Sequence, residues 1–215
     1  MGPLFGAVFS LVGAAVFYSL VAYILTRDNR DVSHLLFAAM MFSSGTSEFL
    51  AFLEFTGSME RAQFLLRFDL SFLALASYFL LLFADYFREG FNRKFAIFAG
   101  VPTSLVICMV FTVMIKGMTM GPYGWAGVYN EICHIIYTTF GLSYLSASLA
   151  IFVYVRQTIL SGEIKRKITI FIVGVSIVLI GGLVNGVVLV IWGRVFPILE
   201  TSMMIFGIVF AQAFR

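Results

Sequence analysis

Long apolar runs alternate with short polar connections along almost the whole chain. A bilayer core of about 30 Å takes about 20 helical residues at 1.5 Å rise each. Seven runs meet that length: Leu4–Thr26, His34–Phe55, Ala62–Phe87, Phe95–Ile115, Asn130–Val155, Ile168–Trp192 and Pro197–Phe214. The connections "RDNRDVS", "GSMER", "REGFNRK" and "RQTILSGEIKRK" are short and polar. One segment differs: "KGMTMGPYGWAGVY" is longer and rich in glycine and aromatic residues. The pattern predicts an all-α polytopic membrane protein, residues 1–215 forming a single seven-helix transmembrane domain with no room for a soluble one.

Composition agrees with the pattern. Of 215 residues, 61% are hydrophobic and 12% charged, whereas soluble domains are nearer half apolar and a quarter charged. The net charge of +3 carries no nucleic-acid signal; the placement of the basic residues matters more. Loops one, three and five and the C-terminus hold ten basic residues, against three (Arg61, Lys116 and Arg194) on the other side. That bias places the N-terminus outside and the C-terminus in the cytoplasm, the arrangement of a multi-pass protein of the cell membrane. No basic region precedes the first run, so no cleavable signal peptide is expected. Cys108 and Cys133 make no disulfide framework and read as buried thiols.

Polar residues inside the spans carry the functional information, because a charge at the centre of a span costs roughly 2.5–3.5 kcal/mol and such residues face the bundle interior. "SSGTSEFLAFLE" (43–54) places Glu48 about 10 Å deeper than Glu54. The two project about 120° apart, so Glu48 reads as an interior residue and Glu54 as a solvated rim. The third run adds Arg67 and Asp69, the fifth opens with Glu131 and His134, the sixth carries Asn185 and the seventh Glu200. All fall in the outer half, while Asp85 near Arg88 belongs to the cytoplasmic end. The asymmetry predicts an outward-opening polar cavity ringed by helices two, three, five, six and seven. Each residue has a plainer reading: Arg67 as an ion-pair partner of Glu48 or Asp69, Glu131 and Glu200 as acids at helix starts, Asn185 as interhelical glue, and His134 as a surface histidine. Tyr123, Trp125 and Tyr129 fit both an interfacial aromatic belt and a lid over the cavity. Gly182 and Gly186 form a G-x-x-x-G pair suited to close helix approach, and Pro102 is expected to bend the fourth helix.

Several chemistries are set aside. The last span has no lysine for a retinal Schiff base. There is no G-x-S-x-G, H-E-x-x-H, P-loop or C-x-x-C. "EICH" (131–134) has Glu-x-x-His spacing, but the second such pair of a di-metal site is missing, so no metal and no cofactor are expected.

The order of features resembles the seven-helix membrane input region at the N-terminus of bacterial and archaeal sensor histidine kinases. The likeness is carried by "EFLAFLEFTGSMERAQFLLRFDL", "LLLFADYFRE", "NRKFAIFAGVP", "GPYGW", "IKRK", "GVSIVLIGGLVNGVVLV" and the closing "AQAFR", and covers essentially all of the chain. It implies a non-enzymatic sensor in the lipid bilayer that signals through its last helices to a cytoplasmic signalling module or partner protein. It names no ligand and carries over no binding residue. The candidate site of Glu48, Arg67, Asp69, Tyr123, Trp125, Glu131, His134, Asn185 and Glu200 therefore rests on the polar residues alone, for a small or amphiphilic ligand. A small-solute transporter and an intramembrane zinc hydrolase are the alternatives. Such bundles often work as homodimers; no dimer seam is legible along the chain.

Overall fold

The computed structural model describes residues 3–26, 31–121, 124–192 and 198–211, giving the backbone alone at 3–5, 121, 124, 185–192, 198–201, 204 and 211. Among the described residues seven helices follow one another: α1 (Pro3–Leu25), α2 (Val32–Thr56), α3 (Met59–Glu89), α4 (Arg93–Met109), α5 (Glu131–Thr158), α6 (Gly162–Trp192) and α7 (Ile198–Ala211). Six are long and apolar enough to cross a membrane. The 14 described residues of α7 reach about 21 Å at 1.5 Å each, short of a ~30 Å core.

The boundaries follow from local chemistry. The Asn92 side chain accepts from the Lys94 and Phe95 amides, and that of Asn130 accepts from the Ile132 amide, so α4 and α5 start where an Asx side chain satisfies the first free donors. Gly90 ends α3 at φ 80°, in the left-handed region that a side chain disfavours, with its N–H on the Tyr86 carbonyl. Pro102 sits inside α4, and the helix continues through it.

At the start of α2, Asp31 accepts from the Ser33 hydroxyl, the His34 amide and the His34 ring. Partial burial pushes this carboxyl up, but the bonds from Ser33 and His34 outweigh it and hold it at about 2. A depressed carboxylate stabilises the helix start above its ordinary value of 3.8, and that stabilisation is lost as pH falls toward 2. Asp31→Ala is therefore expected to fray the first turn of α2 at a cost of about 0.5–2 kcal/mol near neutral pH. Hydrogen exchange at the His34 amide checks this, and the difference from the parent protein should shrink as pH approaches 2.

The chain is not purely helical. The glycine-rich segment read as a loop forms an antiparallel hairpin, β1 (Ile115–Gly121) with β2 (Gly124–Tyr129), entered through a π-helical turn at Val110–Met114. The register pairs Thr119 with Ala126 and Met120 with Trp125, with a bulge between Ile115 and Gly117. Strand pairing satisfies backbone groups that an irregular loop beside an apolar bundle would leave open.

In the bundle α2 packs between α1 and α3, α5 lies against α3 and α6, and α7 closes the ring against α6 and α1. Outside the ring, α4 rests on α3 and turns Phe98 (76% exposed), Val101 and Leu105 outward. A face of that kind suits lipid.

Two apolar clusters lie toward opposite ends of the interior. Phe37 (α2), Phe83 (α3), Phe152 (α5), Phe171 (α6) and Phe210 (α7) are all buried and meet ring to ring at 4.9–6.3 Å. At the other end the hairpin packs on α3 through Ala62, Leu66, Ile115 and Met118. On α6, Gly174 admits a neighbour closely: a Cβ there would lie 2.4 Å from the Phe210 ring. A Cβ at Gly182 would meet nothing within 4 Å among the described residues. Its G-x-x-x-G partner Gly186 lies among the residues described by backbone alone.

Candidate functional site

Between the phenylalanine cluster and the hairpin lies a cavity of about 280 Å3, lined by α2, α3, α5, α6, α7 and the hairpin. These are the five helices expected to ring it. On α2 the lining follows Met40, Ser44, Ser47, Ala51 and Glu54, alternating four- and three-residue steps that keep one stripe facing inward. On α3 the stripe runs from Leu66 through Asp69 and Leu73 to Leu80, about 21 Å along the axis. On α5 it runs from His134 through Tyr137, Thr138 and Gly141 to Leu145. The cavity is therefore elongated along the bundle.

Its deepest lining residues show what closes the far end. Met40, Leu80, Leu145, Val178 and Phe206 lie one or two turns before the clustered phenylalanines of their own helices. The rings form a floor. At the opposite end Trp125, Ala126, Gly127 and Tyr129 of β2 cover the cavity. The Trp125 indole N–H donates to the Gly57 carbonyl at 3.0 Å, pinning the hairpin to the end of α2. The Asn130 amide donates to the Met114 carbonyl at 2.8 Å and closes the hairpin base.

Four of the nine candidate site residues line this space: Glu48, Asp69, Trp125 and His134. Glu48 is 5% exposed and lies over Gly13 of α1, where a Cβ would come within 3.4 Å of its side chain. Asp69 accepts a hydrogen bond from the Ser47 hydroxyl, which ties α3 to α2 at the cavity wall. His134 stacks on Tyr129 with ring centroids 4.9 Å apart and an interplanar angle of 14°. Its Nδ1 is buried and has no hydrogen-bond partner among the described residues.

Other expectations need correcting. Glu54 is not a solvated rim residue: it is 6% exposed and lines the cavity with Glu48. The 120° between the two acids is the width of the inward stripe, so they stand at its two edges, beside the hairpin that Trp125 ties to Gly57. Arg67 does not line the cavity. Two residues along a helix turn the side chain by about 200°, so Arg67 points away from where Asp69 points. Glu131 is exposed and outside the lining, one turn beyond His134 toward the helix start. Tyr123 lies outside the described residues, as do the side chains of Asn185 and Glu200. Asp85 pairs with Arg88 at 2.8 Å, at the end assigned to it.

Tyr137 does not stand out in the sequence. It lines the cavity and donates its hydroxyl to the Leu70 carbonyl at 2.8 Å. The signal for it is its position three residues after His134, on the same helix face.

Chemically, the site offers carboxylates, an imidazole, serine hydroxyls and aromatic faces above an apolar well. Among the described residues no three His, Cys, Asp or Glu side chains form a group that could hold a metal ion. The arrangement suits holding a molecule by shape and a few polar contacts, which is how small-molecule sites are generally built. Neither a family model nor a curated protein matches this chain.

Proposed function

We propose that this protein is a membrane sensor domain whose hairpin-covered cavity takes up a small or amphiphilic ligand and passes the event through its last helices to a cytoplasmic output module, as in the input regions of sensor histidine kinases. In this reading seven helices span the cell membrane, with the hairpin and N-terminus outside, as the ten-to-three bias of basic residues favours. The observation that carries the proposal is a cavity with a floor. Five helices contribute both to its wall and to the phenylalanine cluster beneath it, so an occupant touches the elements that would have to move. A ligand shifts such a bundle only through different affinities for its two arrangements.

A transporter needs access from both faces; a sensor of this design needs it from one. Gly182 suits the test, because it lines the cavity and a Cβ there meets no described atom within 4 Å. In a background lacking Cys108 and Cys133, Gly182→Cys should react with a membrane-impermeant methanethiosulfonate from the outer face of oriented vesicles and not from the cytoplasmic face. Modification from both faces would replace the sensor with a transporter. Modification from the cytoplasmic face alone would reverse the orientation.

A further inference from the structure

We infer that the ligand is a single-chain amphiphile, held with its polar group under the hairpin and its chain pointing at the phenylalanine floor, and that the floor sets the longest chain accepted. This builds on the cavity being a ligand site, as proposed above, and names the class of molecule it selects.

Shape comes first. On α3 the lining from Leu66 to Leu80 runs about 21 Å along the helix axis, yet the whole space is only about 280 Å3. That is less than twice the roughly 150 Å3 of an engineered cavity that holds benzene, which leaves room for about a dozen carbons. A space so long for its volume is narrow. One extended chain fills it. A compact molecule of the same carbon count leaves one end empty, and a two-chain lipid does not fit.

The order of residues along the axis gives the orientation. Trp125, Tyr129, His134 and Thr138 line the hairpin end. Toward the floor the wall is made by Met40, Leu80, Leu145 and Val178. Ser77 lies among these but donates its hydroxyl to the Leu73 carbonyl of its own helix at 3.1 Å. A molecule with a polar head and an apolar chain matches that order in one direction only.

The floor supplies the limit. Phe206 lines the cavity and also belongs to the packed rings beneath it, with centroids 4.1 Å from Phe210 and 6.4 Å from Phe17. Phe210 is fully buried and meets Phe37 and Phe171 in turn. A ring backed in this way does not step aside for one more methylene, because close-packed interiors deform little. A chain that reaches Phe206 stops there, and a longer one has to lift its head out from under the hairpin.

The test uses the whole protein in lipid nanodiscs, carrying Gly182→Cys in the background without Cys108 and Cys133. Gly182 lines the cavity one turn from Val178, so an occupant shields the thiol from the methanethiosulfonate. The probes are straight-chain 1-alkanols from hexanol to hexadecanol, together with the compact 1-adamantanol. Half-protecting amounts are expressed as concentration in the bilayer, so that each alcohol's own partition into lipid cancels. They should stay level up to about a dozen carbons, since each methylene gains equally in lipid and in the site. Past that limit they should rise about fourfold per methylene, which then gains in lipid alone. 1-Decanol should protect at a concentration at least tenfold lower than 1-adamantanol. Met40→Ala, which deepens the well, should move the limit to longer chains, and Val178→Phe should move it to shorter ones. The unsubstituted series stands even if one of these variants fails to fold. 1-Adamantanol matching 1-decanol overturns the single chain and leaves the cavity a ligand site. Level protection through hexadecanol, or a limit unmoved in folded variants, overturns the floor as the ruler and also leaves the cavity a ligand site. No protection from any probe overturns both readings.

Discussion

Replacing Gly174 by alanine is expected to destabilise the bundle by about 1–3 kcal/mol, the usual cost of forcing a methyl group into a filled interior. The added Cβ would lie 2.4 and 2.7 Å from the Phe210 ring and 3.3 Å from that of Phe206. Phe210 is fully buried and stacked on Phe37 at 5.6 Å and 11°, and it also touches Phe171 and Phe206. The ring cannot retreat without displacing its neighbours, so the strain spreads into α2, α6 and α7. Gly182→Ala is the internal control. It occupies the same helix and meets no described atom within 4 Å, so it keeps the gain in helix propensity, about 1 kcal/mol in the stabilising direction. The two substitutions should therefore shift unfolding in mixed micelles in opposite directions. Phe210→Leu should recover part of the Gly174→Ala loss in a double-mutant cycle. Equal effects at the two glycines would mean that α6 and α7 do not meet at Gly174.

Trp125→Ala is expected to raise the rate at which Gly182→Cys is modified by about tenfold or more. The indole supplies the hydrogen bond to Gly57, worth about 1 kcal/mol, and packs with Leu66 and its neighbours on α3. Losing both should shift hairpin opening by at least about 1.4 kcal/mol, which is tenfold in the open population. Trp125→Phe removes the hydrogen bond and keeps most of the ring, so its rate should fall between wild type and Trp125→Ala. If neither substitution changes the rate, the probe enters by another route and the hairpin is not the cover.

The helices are legible in the sequence because a bilayer demands apolar runs of fixed length, and the wall is legible because charges inside such runs have to face inward. Glu48, Asp69 and His134 emerge from that single constraint. Glu54 escapes it because depth measured along the helix alone puts the residue at the surface. Its burial depends on the hairpin, and the strands of six and seven residues carry too little periodicity among their glycines to announce themselves. Arg67 and Asp69 look alike as polar residues of one span and separate only when the turn between them is counted. Gly174 and Gly182 pose the same difficulty, since which glycine a phenylalanine presses against depends on the partner helix.

The phenylalanine floor also decides where the molecule can move. Close-packed interiors have few voids and deform little. With five helices joined there through rings in mutual contact, none can turn at that level without turning the others. The clamped end acts as a common pivot, and the freedom to splay is left to the half that holds the acids, the histidine and the hairpin. On the proposed sensor reading, a change in width at the cavity would pass to all five helices together through these ring contacts. That makes the floor the fulcrum of the bundle as well as the bottom of its cavity.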